Sequence, residues 1–75
     1  MTRVSLIGWR YGLKSVPTIR LIREFTQLGL HDAKDVVDRL LEGKINILEF
    51  ETDEEAQVFL NRAEALGVIG KLNFT

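Results

Sequence analysis

The sequence contains no cysteine, one proline and one histidine, His31, in 75 residues. The lack of cysteine excludes disulfide bridges and thiolate metal sites, and a single histidine cannot supply a pair of metal ligands. No apolar run approaches the ~20 residues that cross a bilayer, and residues 1–7 lack the long apolar stretch of a signal peptide. We therefore expect a cytoplasmic protein that does not enter a membrane.

Sequence motifs of catalysis are also missing. There is no P-loop, no G-x-G-x-x-G and no H-E-x-x-H pattern, and no convincing base accompanies the serine and threonine hydroxyls. The acidic run at residues 53–55 follows Thr52, a pattern typical of a capped helix N-terminus rather than of a metal site. We expect no enzymatic activity, no cofactor and no bound metal, so the function must be sought on the surface.

The composition supports a small core and an uneven distribution of charge. The length predicts one domain, residues 1–75, and 45% hydrophobic residues are enough for a compact core. The net charge is −1, but residues 1–34 hold six Lys or Arg against two acids, whereas residues 35–75 hold four against nine. This split favours an oriented encounter with an acidic partner, the alternative being an ordinary scatter of surface charge.

Apolar periodicity and turn residues predict an α+β fold. The expected order is β-α-α-β-α-β, with three helices packed on one face of a small three-stranded antiparallel sheet. Ser15 is the expected N-cap of the first helix, Pro17 suits its first turn, and Gly29, Gly43 and Gly67 mark the helix ends. The predicted segments are residues 4–9, 16–28, 30–43, 45–50, 53–66 and 68–74.

At about 100° per residue, each predicted helix has an inner and an outer side. The predicted inner side of the first helix comprises Thr18, Leu21, Ile22, Phe25 and Leu28. Its outer side comprises Val16, Arg20, Arg23 and Gln27, with Ile19 at the border. The inner sides of the other two helices comprise Ala33, Val36, Val37 and Leu40, then Ala56, Phe59, Leu60, Ala63 and Leu66. The first helix therefore presents a basic stripe to solvent.

Trp9-Arg10-Tyr11, at the end of the first predicted strand, is the other unusual segment. Together with Lys14 it could form a stacking platform for single-stranded nucleic acid. The structural alternative is that Trp9 covers the open edge of the core and Tyr11 lies in a loop. With a pI near 5.7 and no dense basic run, we do not expect nucleic acid to be the main partner.

The segment Leu28-Gly29-Leu30-x-x-Ala33-Lys34-Asp35-x-Val37 is preceded by Val16-x-x-Ile19-Arg20-x-x-Arg23. Together they resemble the C-terminal domain of the bacterial ribosomal stalk protein, the L-seven/L-twelve protein, and the resemblance extends from Val4 to Phe74. It implies a non-catalytic domain that binds translational GTPases (elongation, initiation and release factors) and brings them to the ribosome. The binding residues that it implies are Val16, Ile19, Arg20, Arg23, Gly29, Leu30 and Lys34.

The sequence also departs from the family pattern. The family usually has lysine where Ser15 stands and small residues where Glu24 and Phe25 stand. Because Glu24 follows Arg20 by four residues, we expect it to neutralise part of the basic stripe. The family's N-terminal dimerisation segment and hinge have no counterpart here, which implies an excised domain or a stand-alone relative that competes for the same factors. Open strand edges could also let two copies pair as a homodimer.

A second family has the same predicted topology. The adaptor of the Clp protease binds destabilising N-terminal residues of other proteins, in a small hydrophobic pocket surrounded by acidic and polar groups. It also has a histidine in the second helix, where this chain has residues 38–43 without histidine. A peptide-binding module of this kind is the alternative function, and a concave acidic pocket would favour it.

Overall fold

The computed structural model describes residues 2–74, apart from the side chain of Phe74. The strands are β1 (Thr2–Trp9), β2 (Asn46–Phe50) and β3 (Val68–Phe74), and the helices are α1 (Ser15–Phe25), α2 (Leu30–Leu41) and α3 (Asp53–Ala65). Their order along the chain is the predicted β-α-α-β-α-β. None of the helices in the described residues is long and apolar enough to cross a membrane.

The strands form one antiparallel sheet in the order β2-β1-β3. Along β1, Val4 and Leu6 are buried whereas Arg3 and Ile7 are exposed, the alternation of a strand with one covered face. The buried apolar residues of all three helices belong to the same core cluster as Val4 and Leu6. The helices therefore cover one face of the sheet and leave the other open, which confirms the predicted α+β fold.

Phe59 of α3 is fully buried in this core. Its ring centroid lies 5.7 Å from that of Phe25 and 5.1 Å from that of Phe50, distances typical of aromatic packing. The three rings thus join α3 to α1 and to β2. The inner residues predicted for α2 are all buried, while Phe25, Leu28 and Leu66 are only partly buried against the core.

The N-terminus of α1 differs from the prediction. The helix begins at Ser15, and the N-cap position is occupied by Lys14 without a side-chain capping bond, so the prediction of Ser15 as N-cap was wrong. The hydroxyl of Thr18 donates instead to the Lys14 carbonyl, at 2.6 Å. Pro17 lies in the first turn as predicted, where its missing N–H removes no helical hydrogen bond.

The C-terminus of α1 comes three residues earlier than predicted, at Phe25. Thr26 adopts an extended conformation, and its hydroxyl donates to the Ile22 carbonyl at 2.6 Å. The same hydroxyl oxygen accepts the N–H of Leu28 at 3.2 Å. The Thr26 side chain thus pairs with one backbone group before it and one after it, which allows the helix to end at this point. The apolar spacing continues to Leu28 and therefore predicted a longer helix.

Helix α2 ends with the Schellman pattern of hydrogen bonds, as the glycine at residue 43 predicts. Gly43 has φ 86° and donates its N–H to the Leu40 carbonyl at 3.0 Å. Lys44 donates to the Arg39 carbonyl at 3.0 Å. Strand β2 then starts at Asn46, one residue later than predicted, and β1 starts two residues earlier than predicted.

Helix α3 has the predicted threonine cap. The Thr52 hydroxyl accepts the backbone N–H of Glu55 at 3.1 Å, and the first turn contains three acids at the positive end of the helix dipole. The helix ends at Ala65, and Gly67, with φ 104°, turns the chain into β3. The acidic residues 53–55 therefore stabilise the N-terminus of α3, as the sequence predicts.

Candidate functional site

The seven residues implied by the family resemblance lie on α1, on α2 and at the corner between them, and we call them the basic face. Two are large apolar side chains held in solvent, Val16 at 59% and Leu30 at 58% exposure. Arg20, Arg23 and Lys34 are also exposed. The remaining two are Gly29, which is exposed, and Ile19, which is half-buried against the core.

A short connection determines how the two helices meet. Residues 26–29 join α1 to α2, and the Thr26 hydroxyl bonds fix the start of this connection. Gly29 is the N-cap of α2, with φ −78° and ψ 179°, and its carbonyl accepts the N–H of Ala33 at 3.0 Å. The two helices also pack against each other, so this packing and the hydrogen bonds of the connection together support the basic face.

The cations of the basic face have no acidic partner within residues 2–74. The ion pairs in this range are Lys44–Glu42 and Arg62–Glu24, and Asp35 contacts the His31 ring. None of them includes Arg20, Arg23 or Lys34. These three side chains therefore leave positive charge available on a surface that also exposes Val16 and Leu30.

Glu24 does not pair with Arg20, the partner that the sequence predicted. Its carboxylate pairs with the Arg62 guanidinium on α3, not with Arg20 on its own helix, so the predicted neutralisation of the basic stripe was wrong. The Arg62 guanidinium carbon also lies 5.4 Å from the centroid of the Phe25 ring. Sequence reasoning missed Arg62 because it is 38 residues from Glu24 and belongs to no local motif.

A cleft of about 320 Å³ lies where the α1–α2 connection meets the end of β2 and the start of α3. Three carboxylates and two aromatic rings line it, together with one threonine and one glutamine. The lining residues are Phe25, Thr26, Gln27, Glu49, Phe50, Glu51 and Glu55. The sequence does not reveal this cleft because its walls come from three separate segments, but it has the acidic and aromatic character expected of a site for a basic group.

Trp9 is the last residue of β1, and Arg10 and Tyr11 begin a loop that is attached to the end of α3. The Arg10 N–H donates to the Gly67 carbonyl at 2.8 Å, and the Arg10 guanidinium donates to the Glu64 carbonyl. Tyr11 is fully exposed and Trp9 is 41% exposed. The loop position expected for Tyr11 is confirmed, while the guanidinium of Arg10 holds the loop in place.

One group of side chains has the composition of a metal site. The ligand atoms of His31, Asp32 and Asp35, at the start of α2, lie within 4.8 Å of one another. His31 and Asp35 are four residues apart on the helix and already pair at 3.5 Å, which accounts for their proximity. His31 and Asp32 are exposed, as are many acidic groups that bind no ion.

The sequence matches the family model described as the ribosomal protein L7/L12 C-terminal domain, over residues 4–71. It is also 35% identical over 66 residues to the large ribosomal subunit protein bL12 of Thermosipho africanus (strain TCF52B). That match covers 88% of this chain and 52% of the relative, so the chain spans about half the length of that curated protein. Because the family match runs from β1 into β3 and includes every helix, this chain belongs to the ribosomal protein L7/L12 C-terminal domain family.

Proposed function

We propose that this chain is a non-catalytic binding domain that captures translational GTPases and brings them to the ribosome through the basic face. Membership of a ribosomal stalk domain family supports a role in translation. The observation that carries the proposal is the combination of exposed Val16 and Leu30 with three exposed cations that have no acidic partner within residues 2–74. Exposed apolar side chains and unpaired cations contribute little to the stability of the fold, but they are the groups through which a surface binds an acidic, partly apolar partner.

The chemistry of the basic face indicates what it would bind. Desolvating Val16 and Leu30 against an apolar patch would supply most of the affinity, since a few central side chains dominate binding energy. Arg20, Arg23 and Lys34 would steer an acidic surface into register and accelerate association. An acidic amphipathic helix on the GTPase fits this description, and we expect its binding to weaken as salt is raised.

A titration of ¹⁵N-labelled protein with a purified elongation-factor GTPase tests the proposal. We expect shifts clustered at residues 16–23 and 29–34, and loss of binding when Arg23→Glu and Lys34→Glu are combined. The matched control reverses two cations on the open sheet side, Arg3→Glu with Lys71→Glu, and should leave binding close to that of the wild type. Unchanged binding in the first double variant would contradict the assignment of the basic face.

The acidic cleft favours a second candidate, a module that binds a basic or free N-terminal group of a peptide. Glu49, Glu51 and Glu55 would attract the cation, while the Phe25 and Phe50 rings would receive an aliphatic or aromatic side chain. Fluorescent peptides that begin with arginine or leucine would measure this binding, with Glu49→Gln and Glu55→Gln as test variants. Binding that these variants abolish but Arg23→Glu does not would favour the cleft over the basic face.

A further inference from the structure

Arg62 on α3 contacts two consecutive residues at the end of α1. Its guanidinium pairs with the carboxylate of Glu24 and lies over the ring of Phe25, at 5.4 Å from the centroid. Both charged side chains are about half exposed, 51% for Arg62 and 56% for Glu24. Because exposed pairs contribute little to stability, folding alone does not account for this arrangement.

Glu24 has an alternative partner on its own helix. Arg20 precedes it by four residues, so the two side chains lie about 40° apart around the helix axis, close enough to form an ion pair. Both lie on exposed positions of α1. Without Arg62, the cation one helical turn from Glu24 on the same side of α1 would be Arg20, a residue of the basic face.

We propose that Arg62 is a positioning residue, which holds Glu24 against α3 and thereby keeps Arg20 available to an acidic partner. The inference rests on the proposed function, because keeping the Arg20 charge unpaired matters only if Arg20 binds a partner. The stacking on Phe25 makes the choice of partner specific, since a planar guanidinium can contact a ring and a carboxylate at the same time. Arg62 thus acts on binding through Glu24, without itself belonging to the basic face.

Four variants and the wild type test the proposal by affinity for the elongation-factor GTPase at low ionic strength. Arg62→Gln should weaken binding about two- to fivefold, the size expected when one exposed pair forms on the binding surface. Adding Glu24→Gln to Arg62→Gln should restore wild-type affinity, because no carboxylate is left to compete for Arg20. Arg62→Lys keeps the charge but not the planar group that contacts Phe25, so it should weaken binding less than Arg62→Gln. Arg3→Gln removes one cation from the open sheet side and is the control for net charge.

Two affinity results would each overturn the proposal: wild-type affinity in Arg62→Gln, or failure of Glu24→Gln to restore the affinity of that variant. The second result would mean that Arg62 acts only by joining α1 to α3. Thermal unfolding of each variant shows whether the fold is kept. A merely structural role for Arg62 would lower the midpoint without any rescue by Glu24→Gln.

A measurement on the free protein separates this inference from the proposed function. In the wild type, Glu24→Gln should shift the Nε–Hε NMR signal of Arg62 and leave that of Arg20 in place. In the Arg62→Gln background, the same change should shift the Arg20 signal. A wild-type protein that does not bind the GTPase would refute the proposed function. A shift of Arg20 on Glu24→Gln in the wild type would refute the role of Arg62.

Discussion

Helices α1 and α3 are similar in length, at 11 and 13 residues, but they differ in how much of their surface the fold uses. Helix α3 begins with a threonine cap and three acids, and Phe59 at its centre is fully buried. Helix α1 has neither a side-chain cap nor an acid in its first turn, and it exposes Val16 beside basic residues.

This difference indicates where binding should be sought. The features of α3 are explained by helix capping, dipole complementarity and core packing, which all stabilise the fold. The exposed residues of α1 do not stabilise the fold in these ways. Val16 is mostly in solvent and so contributes little burial, and Arg20 and Arg23 have no acidic partner within residues 2–74. Residues that the fold does not need are the ones most available for a partner.

The largest effect should follow loss of the central ring on α3. Phe59→Ala removes a fully buried side chain that packs against Phe25 and Phe50, and we expect it to lower the free energy of unfolding by about 3–5 kcal/mol. Phe25→Ala, at a partly buried position of α1, should lower it by about 2 kcal/mol. Urea unfolding followed by circular dichroism measures both, and equal losses would contradict the contrast between the two helices.

Much of this fold follows from local signals in the sequence. The apolar spacing of α2 predicts Ala33, Val36, Val37 and Leu40 as inner residues, and all four are buried. Thr52 and Gly43 mark helix ends through side-chain and backbone chemistry that extends over only a few residues. The ends of α1 were mispredicted because Thr26 and Lys14 depend on backbone geometry that apolar periodicity does not report.

The sequence predicts less of the candidate site than of the fold. The exposure of Val16 and the border position of Ile19 follow from the helical period and are confirmed. The pairing of Glu24 depends on how α1 packs against α3, so the spacing within α1 indicated Arg20 as a partner when the structure has Arg62. The acidic cleft likewise exists only because β2 ends beside the α1–α2 connection.

The next effect concerns the contact between the end of α3 and the loop before α1. Gly67 has φ 104°, and a methyl group added to it would lie 2.9 Å from the Cα of Leu13, closer than non-bonded carbon atoms approach one another in folded proteins. We expect Gly67→Ala to lower the free energy of unfolding by about 2–4 kcal/mol, combining backbone strain with displacement of the loop.

Gly12, in the loop before α1, is the matched position. It has φ 93°, but an added methyl group would meet nothing within 4 Å. Gly12→Ala should therefore cost only the strain of the left-handed conformation, about 1 kcal/mol. Thermal unfolding of the two variants measures the difference, and a loss for Gly12→Ala as large as that for Gly67→Ala would contradict the proposed close contact.

A smaller effect distinguishes the two helix starts. Thr52→Ala removes the hydroxyl that accepts the Glu55 N–H at the start of α3, and it should lower the free energy of unfolding by about 1 kcal/mol. Ser15→Ala, at the start of α1, removes no capping bond and should change it by less than about 0.5 kcal/mol. If chemical denaturation showed the reverse order, the assignment of Lys14 rather than Ser15 as N-cap would be wrong.

The smallest effect on stability gives the sharpest test of α1 against α3. Val16 is 59% exposed on α1 and Val58 is 48% exposed on α3, so Val16→Ala and Val58→Ala should each change the free energy of unfolding by less than about 0.5 kcal/mol. Their effects on binding should differ, because only Val16 belongs to the basic face. We expect Val16→Ala to weaken binding of the elongation-factor GTPase about fivefold, the loss of roughly 1 kcal/mol at a partly buried interface position. Val58→Ala should leave it unchanged. Equal binding by both variants would mean that the exposed valine of α1 is as incidental as that of α3.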